Sequence, residues 1–248
     1  MISHYTALIS SYSFAAISWF LLHKNWNKNP WDGAKVKNLF LSKPYVDFLL
    51  AIVAVISIIA IGQLYINGYL IPNKSNNQLL DALNQFLIFS PTFILVLVRK
   101  QALESIWLRS DKLLLRISIG LIIAISSLFF YWIIRSDVPS FDQVLVRVYQ
   151  PQNISKFVQV FMEDITIALI FVRLSNWIGN RWTIVIVASL FAASHIPSMI
   201  SSGYAITELS SLIFDTFIGV LILSAVSKSR DIWWFFMLHF AMDMTQYL

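Results

Sequence analysis

Apolar segments of bilayer-spanning length fill most of this chain, and they leave a helical bundle as nearly the only fold open to it. Segments 5–22, 46–71, 79–98, 113–134, 157–174, 182–201, 208–227 and 231–248 approach or exceed the about 20 residues a helix needs to cross the hydrocarbon core. Within a bilayer every backbone N–H and C=O must be satisfied inside the protein. Long continuous apolar runs meet that demand as helices. Hydrophobic residues make up 58% of the chain and charged ones 12%, whereas a soluble domain is roughly a quarter charged. The expectation is an all-α, polytopic transmembrane helix bundle of about eight spans. Residues 1–154 read as N-terminal helices with basic cytoplasmic loops, and 155–248 as the helices that carry the chemistry of the same membrane domain.

Charge placement sets the expected topology. With eight alternating spans, fourteen of the eighteen Lys and Arg residues fall in the loops after spans one, three, five and seven. Only Lys74, Arg135, Arg147 and Lys156 fall on the other side. Basic loops stay in the cytoplasm, so both termini are expected outside. The net charge of +5 then reflects topology and attraction to anionic head groups. A nucleic-acid partner is not expected, because the basic residues form no compact patch interleaved with aromatics. Met1 to Tyr5 lacks a basic stretch, so the first segment reads as a span and not as a signal peptide. The absence of cysteine excludes disulfides, thiolate metal sites and Cys nucleophiles.

Against this background a few ionisable residues stand out. Glu163, Asp164, His195, Asp215, His239 and Asp243 interrupt the last four spans. Such groups are costly in a membrane and mark functional sites by default. At a helical rise of about 1.5 Å per residue, Glu163, His195 and Asp215 each lie roughly 10 Å below the outer boundary. His239 falls near the middle of the membrane, with Asp243 about 6 Å further out. Spacing of three or four residues puts Gln159, Glu163 and Thr166 on one face, and likewise Glu208, Ser211 and Asp215. His239, Asp243 and Gln246 share another face, as do Phe191, His195 and Ser198. Four polar stripes at one depth predict a single water-reachable pocket between helices. A carboxylate beside an imidazole can activate water there, and a second imidazole can steady charge developing on a carbonyl oxygen. The same groups fit an open zinc site of two His and a carboxylate, with His195, His239 and Glu163 as ligands.

Phe191-Ala192-Ala193-Ser194-His195 fits FxxxH, and His239-Phe240-Ala241-Met242-Asp243 fits HxxxN/D. Met162-Glu163-Asp164-Ile165 lies one helix earlier, where an EExxxR motif belongs. In order and spacing, residues 155–248 resemble the CPBP family (CAAX protease and bacteriocin-processing, or Abi) of intramembrane endopeptidases. The second Glu is replaced by Asp164, and the Arg position holds Ala168. Arg173 is read as snorkelling to the cytoplasmic boundary instead. The resemblance implies that Glu163 and His195 activate water while His239 and Asp243 support the oxyanion, with Asp164 a substitution within the first motif and a candidate supporting group. Asp215 matches no motif of that family, and its depth in the membrane makes it a candidate supporting or packing group. The resemblance also implies no obligatory metal, zinc being the alternative. The expected partners are the lipid bilayer and a peptide or membrane-protein substrate, and the expected place is a bacterial cell membrane.

Blander readings compete with each motif. A lone membrane His can serve as an interhelical hydrogen-bonding group, and HxxxD can be a local pair. Trp26, Trp31 and Trp182 read as interface belts. Pro197 is expected to end or kink the sixth helix, and His4 and His23 to lie outside the spans without a role. The altered first motif motivates a second function, a non-catalytic bacteriocin-immunity or binding protein on the same scaffold. A proton-coupled carrier is a third, although no inverted repeat supports it.

Overall fold

The computed structural model describes residues 4–25, 31, 43–72, 77–135, 137–201, 203 and 211–248. Readings placed on Trp26, Lys28, Lys35, Lys37, Lys74, Glu208 and the side chains of Pro197 and Ser198 lie outside the described residues. Among the described residues all regular structure is helical. The helices are α1 (His4–Asn25), α2 (Pro44–Ile66), α3 (Gln78–Val98), α4 (Leu113–Ile134) and α5 (Phe141–Tyr149). They continue with α6 (Ile154–Ile178), α7 (Asn180–Ser194), α8 (Ile196–Ser201), α9 (Ser211–Ser229) and α10 (Ile232–Asp243). Of these, α1, α2, α3, α4 and α9 are long and apolar enough to cross a membrane.

Six helices close a ring. Helix α1 packs on α9, α9 on α7, α7 on α6, α6 on α10, α10 on α4, and α4 returns to α1. Helices α2 and α3 pack on each other and brace α6 from outside the ring. Every residue from Asp164 to Leu174 of α6 is therefore buried, while α2 turns Leu49, Val53, Ile56 and Ile59 outward. Such apolar residues suit contact with lipid tails, since lipid is as apolar as they are. Two glycines allow close crossings. A Cβ on Gly120 would stand 2.5 Å from the Trp234 backbone, and one on Gly219 3.0 Å from Ala188 Cβ. Small residues at such points let membrane helices approach and gain dispersion contacts.

Several expectations need correction. The sixth segment is not one helix from 182 to 201. Helix α7 ends at Ser194, His195 sits at the break, and α8 starts at Ile196 with Pro197 in its first turn, a position that needs no backbone donor. The last segment is helical only to Asp243 and then tightens into a 3-10 turn, Met244–Tyr247. The connection before α6 contains a short helix, α5, which buries Val144 and Val148.

Polar side chains depart from expectation too. Arg173 does not snorkel. It is fully buried and donates to the Leu169 carbonyl (2.9 Å), the Ser105 carbonyl (3.3 Å) and the Gln101 side chain. Local acceptors at the α3–α4 connection capture the guanidinium before it can reach the boundary. Arg116, counted as a loop cation, lies inside α4 and is fully buried. It pairs with Asp111 at 2.5 Å and Asp231 at 3.7 Å. Trp31 is no interface residue either, because it is 4% exposed and its indole N–H donates to Asp231 Oδ2 at 2.9 Å. Trp182, 66% exposed, fits the interfacial reading.

Candidate active site

A cavity of about 420 Å³ lies inside the helix ring. Glu163 reaches it from α6, His195 from the end of α7, Asp215 from α9, and His239 and Asp243 from α10. The sequence placed these five in one pocket, and they share one. The lining comes from the early part of α1, the last turns of α7 and the end of α10, so the cavity sits at the bundle end where α1 begins and α10 ends.

Helical spacing delivers most of the local geometry. Gln159, one turn before Glu163, donates from Nε2 to Glu163 Oε1 at 2.8 Å, and Lys156 Nζ donates to Gln159 Oε1 at 3.1 Å. Gln246 donates to Asp243 Oδ1 at 3.1 Å, so the α10 stripe continues into the 3-10 turn. Thr166, expected on the Glu163 stripe, points elsewhere. It donates to the Met162 carbonyl and meets Thr92 of α3 at 3.0 Å, because α3 packs on that side of α6.

Asp164 is the residue whose position the sequence left least defined. Its neighbour Glu163 lines the cavity, whereas Asp164 turns behind it, 1% exposed. There its Oδ1 accepts a hydrogen bond from His239 Nδ1 at 2.7 Å. A carboxylate on Nδ1 fixes the tautomer and the ring plane of an imidazole, leaving Nε2 for the cavity. Phe235 stacks on the His239 ring at 5.3 Å between centroids. Phe191 stands edge-on to both imidazoles, 5.0 Å from His195 and 5.8 Å from His239. The Phe of FxxxH thus contacts both imidazoles and restricts both rings.

The missing Arg leaves a trace. Asp164 Oδ2 is buried with no hydrogen-bond partner among the described residues, and Ala168, one turn further along α6, is fully buried. Arg173 does not fill that place, since its contacts lie near Gln101 and Ser105. Among the described residues no three of His, Cys, Asp and Glu stand where they could hold one metal ion. His195, His239 and Glu163, the set considered for zinc, share the cavity without that arrangement.

Sequence reasoning missed the contribution of α1. His4, Tyr5, Leu8 and Tyr12 all line the cavity. His4, expected to have no role, is the first residue of α1, and its Nδ1 lies 2.7 Å from the Tyr131 hydroxyl. A signal was present, since positions 4, 8 and 12 fall on one helix face. His23 instead stacks on Trp19 at 4.8 Å, far along α1 from the cavity residues.

Comparison with known proteins finds one similarity, in the second half of the chain. Residues 154–245 match the family model described as type II CAAX prenyl endopeptidase Rce1-like. No curated protein and no solved structure matches the chain. The α1 wall of the cavity lies outside the matched segment. Residues 154–245 are therefore similar to the type II CAAX prenyl endopeptidase domain, which supports a CPBP-like protease segment within a multi-pass membrane bundle.

Proposed function

We propose that this chain is an intramembrane endopeptidase that cleaves a peptide or membrane-protein segment with a water activated by Glu163 and His195. The observation that carries the reading is the convergence of Glu163, His195, His239 and Asp243 on one cavity, with His239 oriented by Asp164 at 2.7 Å. Glu163 takes a proton from the water as its oxygen attacks the scissile carbonyl carbon, and His195 holds that water in line. The proton then passes to the leaving amine as the C–N bond breaks. His239, as an imidazolium on the Asp164 carboxylate, presents Nε2–H to the developing oxyanion. Asp243 can share that task only as the neutral acid, because a carboxylate has no hydrogen to donate. No step calls on a metal, so activity is expected to persist after dialysis against a chelator.

The cavity sits at the end of the bundle where α1 begins and α10 ends, and the charge bias puts that end outside the cytoplasm. The family description names CAAX prenyl substrates, whose prenylated tails are cytosolic. The proposed orientation favours an extracytoplasmic peptide or membrane protein, in a bacterial cell membrane. A reporter fused after Leu248 checks this, and a cytoplasmic signal would return the CAAX substrate to first place.

The decisive test compares membranes carrying the wild-type chain with membranes carrying Glu163→Gln at equal abundance. New protein N-termini are expected with the wild type and a loss of about 10²- to 10⁴-fold with the variant. Cleavage retained in both Glu163→Gln and His195→Ala sinks the hydrolytic mechanism. One observation favours a second reading, a non-catalytic immunity or binding protein: the orphaned Asp164 Oδ2 beside Ala168. Retained cleavage-independent protection of cells by Glu163→Gln would select it.

A further inference from the structure

The cavity carries more carboxylates than cations. Glu163, Asp215 and Asp243 line it, and its lining residues include no Lys or Arg. Two of these acids have partners of their own: Glu163 accepts from Gln159 and Asp243 from Gln246. Asp215 has neither a hydrogen bond nor an ion pair among the described residues. It belongs to no motif of the matched family and takes no step in the mechanism above.

Its surroundings are equally specific. Tyr12, 7% exposed, lines the same cavity, and its hydroxyl makes no hydrogen bond among the described residues. That hydroxyl is not one of the sealed-off polar atoms, so it opens on the cavity. Tyr5 stacks on Phe214 at 5.6 Å, which seats the first turn of α1 beside Asp215. In the helix ring, α1 and α9 stand across from α6 and α10. The α6–α10 wall of the cavity therefore carries Glu163, His239 and Asp243, and the facing α1–α9 wall carries Asp215 together with Tyr5 and Tyr12.

An unpaired carboxylate at membrane depth is costly unless a partner neutralises it. The described residues supply none here, and a substrate can. Tyrosine faces attract cations, and a buried carboxylate accepts a guanidinium or ammonium by charge-assisted hydrogen bonds. We propose that the α1–α9 wall, centred on Asp215 with Tyr5 and Tyr12, is a specificity subsite for a Lys or Arg side chain of the substrate near the scissile bond. This rests on the hydrolytic reading and names the substrate class for the same site.

The test sequences new protein N-termini in membranes of cells producing the wild type, Glu163→Gln, Asp215→Asn, Asp215→Glu or Asp215→Lys. Termini that depend on Glu163 are expected to carry Lys or Arg at a fixed position around the cut. Asp215→Asn is expected to lower their yield on the order of thirtyfold, while Asp215→Glu retains the preference. Asp215→Lys should shift it toward acidic residues. Glu163-dependent termini without basic enrichment overturn the subsite and leave the protease standing. The same holds if Asp215→Asn leaves the positional preference unchanged. No Glu163-dependent termini at all overturn both. The wild-type termini decide the matter even if an Asp215 variant fails to accumulate.

Discussion

Two polar clusters sit in this bundle, and they are built on opposite principles. At the start of α4 and α10, Arg109, Asp111, Arg116 and Asp231 hold one another in ion pairs of 2.5 to 3.7 Å, with the Trp31 indole N–H on Asp231. Cations and carboxylates are matched two to two, and Asp231 also caps α10 by accepting from the Trp233 backbone N–H. In the cavity, carboxylates outnumber their partners, and about 420 Å³ is left beside them. Polar groups meant to hold helices together are paired and packed; those meant to meet a substrate are aimed at a space. Burial alone does not distinguish the two, because Asp164 and Asp231 are both buried. The presence of room and the absence of charge balance do.

The largest effect should come from unbalancing the paired cluster. Asp231→Ala removes one of the two carboxylates paired with the fully buried Arg116, and the acceptor of the Trp31 indole N–H; it is expected to cost about 3–5 kcal/mol, read as a lower unfolding temperature in detergent. Replacing Arg116 and Asp231 together by Met and Leu should recover most of that loss. If the single change is harmless, the structural role assigned to this cluster fails.

The same kind of change in the cavity should behave differently. Asp164→Asn keeps the shape but weakens the hold on His239, so cleavage should fall about 10²-fold with a much smaller change in unfolding temperature. An equal fall in abundance and cleavage would mean that Asp164 is structural and that the contrast is wrong.

The smallest effect concerns pH. Burial pushes the Asp111 carboxyl up, but hydrogen bonds and charges from Arg109 and Arg116 outweigh it and hold it below the ordinary carboxylate value. A lowered folded pKa contributes stability that is fully present above the unfolded value of about 3.9. It is lost as pH falls through the lowered folded value. Thermal unfolding followed from pH 6 down to 3 should show an acid limb that shrinks in Asp111→Asn. An unchanged limb would place the acid sensitivity elsewhere.

Much of the site was legible in the sequence for one reason. Ionisable residues in apolar spans are so costly that each had to face the interior, and helical rise gave their depth. Glu163, His195, Asp215, His239 and Asp243 were placed this way. Arg116 and Arg173 were misplaced because a terminal Arg can reach the boundary or turn inward. Which one happens depends on acceptors from other helices, such as Asp231, Gln101 and the Ser105 carbonyl.

The sequence by itself determined the helical membrane bundle, the approximate spans and the inward-facing polar residues, since the bilayer penalises every alternative. Only the tertiary structure decided that Asp164 orients His239, that α1 completes the cavity with His4, Tyr5 and Tyr12, and that Asp215 faces it unpaired. Those are relations between helices far apart in the chain. Local periodicity fixes which face of a helix is polar, but the identity of the neighbour on that face follows only from how the helices close into a ring.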